Sequence, residues 1–400
     1  MNTVKFTVGA KRLLTENGWE KDCVLEISES RVVRIARGTA ADFSAETMAP
    51  GLIDPHIHGG DGFDVMHPTV EQMEAWLVRL AESGVAAVLA SPYTGPMEIM
   101  RGSLEVIAKV MERQKKDGVP GARLLGAHLE GPFISPNRLG AMEERFVLPP
   151  SARVCRQLLE GYESIIREMT LAPEVPGAVE VISLLESLGI RVQAGHCDAT
   201  WEEGETAFSA GVGSVCHFFN AARPIRHRDP SFLASALTRP EIYCEMIADL
   251  VHLHPGAVRL LWRCKGPDRV MLISDAVSTT NLPDGEYLDN GLTVEVRGGA
   301  SFVKGGGLNG GGTYLPGAVR NLISLGIADH QALRAASANA ARWLRIDPGV
   351  RVGAEASLTG WDQDMRPLFT LTGGYLHKKE EISWKPLASI SEEPPSNLPG

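Results

Sequence analysis

The chain has 400 residues and 44% of them are hydrophobic, enough for a large core or for a barrel with a smaller module beside it. A formal net charge of −10 argues against nucleic acid or an anionic membrane as partner. No run reaches the roughly 18–20 apolar residues of a membrane span, and the N-terminus lacks the order of a secretory signal. The six cysteines (Cys23, Cys155, Cys197, Cys216, Cys244 and Cys264) form no C-x-x-C pair, so a cytoplasmic protein with reduced thiols is expected.

In chain order, residues 24–27 and 32–35 are short β-rich runs flanking 28–31. They are too few to enclose a core of their own. Residues 356–376 have a similar character, with Leu358, Trp361, Leu368, Phe369 and Leu371. The expectation is a small β-sandwich module built from both chain ends, 1–50 and 350–380, beside a catalytic domain at 51–349. Within that domain, apolar runs suited to buried strands occur at 51–54, 85–90, 124–128, 169–172, 191–194, 214–217, 243–247 and 270–273. Segments of helical period lie at 70–83, 98–114, 175–188, 201–210 and 255–264, and two more at 315–325 and 329–344 follow the last strand. Eight strands with helices between them is the count of an α/β fold of the (β/α)₈ TIM-barrel type. Alternation alone does not separate it from an open doubly wound sheet. Residues 381–400, with Pro386 and the run Glu392-Glu393-Pro394-Pro395, read as a disordered or loosely docked tail.

The residues able to bind a metal or move a proton sit at the ends of these strands. His56 and His58 follow the first, Glu130 the third, His196 the fifth and His217 the sixth. Asp249 and His252 follow the seventh, and Asp275 the eighth. In a barrel those ends converge on one mouth. A single histidine after a strand is more often a hydrogen-bonded structural residue than a ligand, and His67, His254, His330 and His377 are read so. His56-x-His58 is a better pair, because alternate strand residues point the same way. Independent structural residues have no reason to fall at successive strand ends. Imidazole and carboxylate ligands suit zinc, with iron or manganese as alternatives. Cys197 and Cys216 neighbour ligand candidates and are read as packing residues.

The segment from Ala49 to Gly60, Ala-Pro-Gly-Leu-Ile-Asp-Pro-His-Ile-His-Gly-Gly, resembles the opening of the amidohydrolase superfamily. His128-Leu129-Glu130-Gly131-Pro132-Phe133 is more specific and resembles the metal-glutamate motif of the N-acetylglucosamine-6-phosphate deacetylase family. So do Gly195-His196-Cys197-Asp198, His217-Phe218-Phe219-Asn220-Ala221, His227-Arg228-Asp229-Pro230, Asp249-Leu250-Val251-His252 and Ser274-Asp275-Ala276. The likeness spans roughly residues 20–375.

The resemblance implies that Glu130, His196 and His217 hold the principal metal, and that His56 and His58 allow a second ion with Glu130 bridging. It implies Asp275 as general base and then acid, and His252 as a substrate contact. Asn220, the Ala221 backbone and Arg228 would bind the sugar phosphate, the arginine reaching a neighbouring subunit's site in a homodimer. Met142 and Leu315 complete the expected substrate contacts. Two departures stand out. Leu139-Gly140-Ala141-Met142 replaces a Lys-Gly-Ala-His pattern, and Gly310-Gly311-Gly312-Thr313 replaces a Gly-Ser-x-Leu pattern.

The implied function is hydrolysis of the N-acetyl amide of an amino sugar phosphate, foremost N-acetylglucosamine-6-phosphate. Alternatives are N-acetylgalactosamine-6-phosphate or an unphosphorylated sugar. A dihydroorotase-like enzyme would carry a strand-four lysine, which residues 169–174 lack. A non-catalytic scaffold of this fold would lose metal ligands that this chain keeps. Two clustered arginines and a histidine near Arg228 (Arg223, Arg226 and His227) suit anion capture in an otherwise acidic chain.

Overall fold

The computed structural model describes residues 5–289, 291–347 and 349–378, so the tail expected at 381–400 lies outside the described residues. Eight parallel strands follow one another around a single sheet: Leu52–Ile57, Val85–Ala90, Arg123–Glu130, Ile166–Leu171, Arg191–Ala194, Ser214–Val215, Tyr243–Ile247 and Val270–Ile273. We call them strands one to eight. They are buried on both faces, one against the barrel interior and one against the helices, which is why they read as continuous apolar runs. Strands one and eight meet. Asp275 N–H donates to the His56 carbonyl at 3.0 Å and His58 N–H to the Ala276 carbonyl at 2.8 Å, while Ser274 N–H donates to Asp54 Oδ1 at 3.1 Å. The sheet is therefore a closed barrel and not an open doubly wound one.

Helices at Val70–Ser83, Met97–Asp117, Ala178–Ser187, Trp201–Ala210, Pro255–Lys265 and Leu315–Ser324 occupy the segments of helical period. Ala152–Leu159 and Phe232–Thr238 are too short to show that period and were not expected. The expected helix at 329–344 is two, Asp329–Ala335 and Ala338–Leu344. The break has a local cause. Ser337 Oγ donates back to the Leu333 carbonyl at 2.7 Å, and Asn339 turns inward to donate to the carbonyls of Pro267 and Val270, each at 2.7 Å. An Ala-rich stretch without Pro or Gly gives no sign of this.

Both chain ends build one seven-stranded sheet. Its spatial order is Tyr375–His377, Pro367–Thr372, Leu358–Trp361, Phe43–Pro50, Lys5–Thr15, Gly18–Ser28, Arg31–Arg37. Phe43–Pro50 is the central strand, parallel to Lys5–Thr15 and antiparallel to Leu358–Trp361. It runs into strand one through Gly51, where a Cβ would stand 2.4 Å from Ser357 Oγ and 2.5 Å from Ala86 Cβ. Only glycine fits that junction.

A second sheet, unexpected from the sequence, follows strand eight: Gly285–Asp289, Leu292–Arg297, Ala300–Val303 and Leu308–Gly310, all antiparallel. It stands over the barrel mouth and returns the chain at Gly311 beside Ala276.

The helix Val70–Ser83 shows how an outer helix is fixed to the barrel. Thr69 and Gln72 form a reciprocal capping box at its start. Its Trp76 is fully buried and stacks on Phe63 with ring centroids 4.7 Å apart. Trp76→Ala leaves a cavity there and should destabilise the fold by about 3–5 kcal/mol. Urea unfolding checks it: the midpoint falls while the slope stays near that of the unaltered chain.

Candidate metal centre and active site

Four imidazoles and two carboxylates converge at the C-terminal rim of the strands. His196 Nε2 and His217 Nε2 lie 3.0 Å apart, and each is within 3.1 Å of Glu130 Oε1. Alongside, His56 Nε2 and His58 Nε2 are 3.1 Å apart, and His58 Nε2 lies 3.1 Å from Asp275 Oδ1. Glu130 joins the two groups, with Oε1 at 3.4 Å from His56 Nε2 and Oε2 at 3.3 Å from His58 Nε2. The four histidines and Glu130 are buried and Asp275 is half-buried.

Their outward nitrogens decide what these rings present inward. His196 Nδ1 sits 2.9 Å from the Arg138 carbonyl and His58 Nδ1 2.6 Å from the Ser91 carbonyl. His56 Nδ1 sits 3.1 Å from Glu245 Oε2. Each partner only accepts, so each Nδ1 carries the proton and each Nε2 turns a bare lone pair toward its neighbours. Donors about 2.0–2.1 Å from a tetrahedral ion lie about 3.3 Å apart, close to the spacings observed. Uncompensated lone pairs at such distances repel, and a cation among them removes the repulsion. The residues present thus fit a divalent metal. The electrostatics make the same demand for positive charge. Burial opposes ionisation of Glu130, yet the imidazoles of His56 and His196 hold it well below the ordinary carboxylate range. Burial likewise opposes a charge on His58, yet the carboxylates of Asp275 and Glu130 push it up to about 10, so without a cation its Nε2 holds a proton that a metal ion would displace.

The backbone is bent to bring these groups inward. His196, His217, Ala221 and Asp275 have φ of 45°, 22°, 43° and 50°, a region non-glycine residues rarely occupy. Asp275 is further pinned through its carbonyl, which accepts from Gly311 N–H at 2.6 Å. A Cβ at Gly311 would lie 1.8 Å from the Ser274 carbonyl oxygen, so this glycine of the divergent Gly-Gly-Gly-Thr stretch is dictated by close approach. Gly140 lies against the His196 ring, where a Cβ would come within 3.1 Å.

His252 is set by Asp249. Oδ2 of Asp249 accepts from His252 Nδ1 at 2.8 Å and from Gly312 N–H at 3.1 Å, and Oδ1 accepts the backbone N–H of His252 at 2.9 Å. Burial works against charge on His252, but its hydrogen bond to Asp249 and the nearby Asp275 raise its pKa.

A cavity of about 540 Å³ opens above the cluster. His58, Glu130, His196, His217, His252 and Asp275 line it together with Asn220, Ala221 and Met142. Two expected substrate contacts are not there. Leu315 is fully buried in the hydrophobic core at the start of its helix, a position a solvent-facing ligand cannot reach from this chain. Arg228 is exposed and outside the lining, as are Arg226 and His227, while Arg223 is engaged by Asp229 at 2.7 Å. His67, read as structural, lines the cavity instead. His254 does cap its helix, accepting from Gly256 N–H at 3.1 Å. Cys216 stands nearer the chemistry than a packing residue needs, with Sγ 3.5 Å from His56 Nδ1, and burial pushes its thiol up.

Two residues that sequence reasoning passed over matter here. Tyr93 packs edge-on against His58, ring centroids 5.4 Å apart. Glu245 accepts from His56 Nδ1, from His217 backbone N–H at 3.2 Å and from Gln193 Nε2 at 2.8 Å, so it orients a ligand in each group. A charged residue inside the otherwise apolar strand seven was the available signal.

Residues 47–383 match the amidohydrolase family. The chain is 33% identical over 362 residues to the N-acetylgalactosamine-6-phosphate deacetylase of Escherichia coli O157:H7, covering 89% of this chain and 95% of that one. It is 32% identical over 366 residues to the N-acetylglucosamine-6-phosphate deacetylase of Vibrio furnissii, covering 89% and 90%. Among solved structures, a mutant of the N-acetyl-D-glucosamine-6-phosphate deacetylase from Mycobacterium smegmatis in complex with N-acetyl-D-glucosamine-6-phosphate matches with a TM-score of 0.86 at 28% identity, over 94% of this chain and 99% of that one. The N-acetylglucosamine-6-phosphate deacetylase from Thermotoga maritima matches with a TM-score of 0.84 at 28% identity, over 94% and 100%.

Below the centre, Gln193 also donates to Glu168 Oε1, which accepts Trp343 Nε1–H at 2.5 Å. Burial and the charge of Glu245 push Glu168 up to about 8. The unfolded chain releases this proton near the ordinary glutamate value and the folded chain near 8. Between them the unfolded state binds fewer protons, so stability falls as pH rises. Glu168→Gln removes that loss. Relative to the unaltered chain it should gain up to about 4 kcal/mol between pH 5 and pH 8, read from denaturation curves at both values.

Proposed function

This chain belongs to the amidohydrolase family, among its N-acetylglucosamine-6-phosphate deacetylases, and we propose that it hydrolyses the N-acetyl amide of N-acetylglucosamine-6-phosphate to glucosamine-6-phosphate and acetate. The observation that carries the reading is the convergence of Glu130, His196, His217, His56 and His58 on closely spaced Nε2 and carboxylate atoms, with Asp275 and His252 facing the same cavity. Glu130, His196 and His217 would hold one divalent ion, and His56 and His58 would allow a second with Glu130 shared between them. Nitrogen and oxygen donors favour zinc, with iron or manganese also suited.

When bound, such an ion acidifies water and polarises an amide carbonyl. The chain's own groups supply the rest. Asp275, a carboxylate at the rim, takes a proton from water as it attacks the carbonyl carbon. It then delivers that proton to the amide nitrogen, which cannot leave as an anion. His252, tied through Nδ1 to Asp249, offers Nε2–H to the oxygen on which negative charge develops. Asn220 and the Ala221 backbone border the cavity where the sugar would lie.

The phosphate needs a cation. The arginine lining the cavity, Arg145, is paired with Glu143 at 2.8 Å. Arg228, exposed outside its own cavity, suits donation to a second subunit, so a homodimer is part of the proposal. A cytoplasmic location is part of it too, in keeping with a phosphorylated substrate, and among the described residues no helix is long and apolar enough to cross a membrane.

Three outcomes test this. Asp275→Asn should keep bound metal by elemental analysis while kcat falls by about 10²–10⁴-fold; near-normal turnover removes Asp275 from the role. Acetate release from the gluco- and galacto-configured N-acetyl amino sugars, each with and without the 6-phosphate, should be fastest for N-acetylglucosamine-6-phosphate. On that panel Arg228→Ala should raise KM at least tenfold more for the phosphorylated sugars, an effect of losing one charge-assisted fork.

A further inference from the structure

The cavity has two chemically different ends, set by the ring of strands. In an eight-stranded barrel strand six lies opposite strand two. Asn220 and Ala221 follow strand six, and Tyr93 follows strand two, so they face each other across the ligand cluster. An amide carbonyl seated at that cluster has its sugar on one side and its acyl group on the other. With the sugar toward Asn220 and Ala221, the acyl group is aimed at Tyr93.

The stretches after strands one, two, three and eight bring Met66, Tyr93, Ile99, Phe146, Leu292 and Leu308 to the wall at that end, the last two from the four-stranded sheet over the mouth, with Asp64, His67, Glu143 and Arg145 among them. Arg145 is paired with Glu143 at 2.8 Å. The Tyr93 hydroxyl donates to Asp64 Oδ2 at 3.3 Å, Thr94 Oγ1 donates to the Glu130 carbonyl at 3.1 Å, and Asn309 Nδ2 donates to Asp289 Oδ2 at 3.3 Å. Sugar hydroxyls or a phosphate placed here would compete with Asp64, Glu143 and Asp289 for donors those carboxylates already hold. An alkyl or aryl chain would not. An acetyl methyl occupies about the space of one water, roughly 30 Å³, and leaves most of such a wall uncovered.

We infer that this end is an acyl pocket, and that the enzyme takes N-acyl amino sugar phosphates whose acyl group is longer than acetyl. The inference rests on the deacylase reading of the same site and names its acyl specificity. The reaction balances as before: water adds to the carbonyl carbon, the C–N bond breaks, the acyl chain leaves as its carboxylate and the sugar as its ammonium.

The metal-reconstituted protein should be assayed for amine release from glucosamine-6-phosphate carrying N-acetyl, N-butyryl, N-hexanoyl or N-benzoyl groups. We expect kcat/KM to rise roughly two- to fourfold per added methylene until the pocket is full. A kcat/KM for the hexanoyl compound below that for the acetyl compound overturns the inference while leaving the deacylase reading intact. Cleavage of none of them, acetyl included, overturns both. Ile99→Trp narrows the pocket from the half-buried first turn of its helix. With circular dichroism and bound metal unchanged, it should lower the hexanoyl-to-acetyl ratio of kcat/KM at least tenfold. An unchanged ratio overturns the placement of the acyl group.

Discussion

Imidazole nitrogens 3.0 Å apart at a buried rim crowd one another, and the layers around them are what keep them there. The strands supply stiffness, the positive-φ residues at their ends supply the inward turn, and carbonyls of Arg138 and Ser91 fix two of the rings by their outer nitrogens. Glu245 sits beneath both groups of ligands and holds His56 by its ring and His217 by its backbone. Its own charge is accommodated by Gln193, whose second N–H reaches Glu168. A cation at the rim therefore meets donors that are already aimed, and little ordering remains to oppose its binding.

Much of this was legible in the residues. Strands one to eight were readable because a parallel strand buried on both faces must be apolar throughout. The convergence of His56, His58, Glu130, His196, His217 and Asp275 was readable because a barrel sends every strand end to one rim, so position along the chain stood in for position in space. Other parts were not. The sheet at residues 285–310 is Gly-rich and its strands are short, and its alternation in Leu292–Arg297 was not recognised as a separate sheet. The helix break at Ser337 depends on carbonyls near strand eight that only the fold brings within reach of Asn339. Leu315 has a residue type that suits an acyl contact and a position that suits the core, and packing decided between them.

The interior network also separates roles that the residue types alone left mixed. His128 lies edge-on to His56, ring centroids 4.5 Å apart, and bonds Thr170 Oγ1 at 2.8 Å. Burial and the neighbouring His56 push its pKa down to about 3, so it packs as a neutral ring. His56, His58 and His196 bond an acceptor through Nδ1 and turn Nε2 to the cluster, whereas His128 spends its Nε2 on Thr170. Arg223 and Arg228 divide in the same way: one is engaged within its own chain, the other is left outward.

The central place of Phe43–Pro50 has a consequence during synthesis. This strand leads into strand one, yet one of its two neighbours, Leu358–Trp361, is made more than 300 residues later. At ribosomal rates of about 5–20 residues per second, that flank of the lead-in stays open for roughly 15–60 s. Over that interval the nascent polypeptide carries a half-paired edge next to His56 and His58. The rim is thus locked from below only once Leu358–Trp361 has been made.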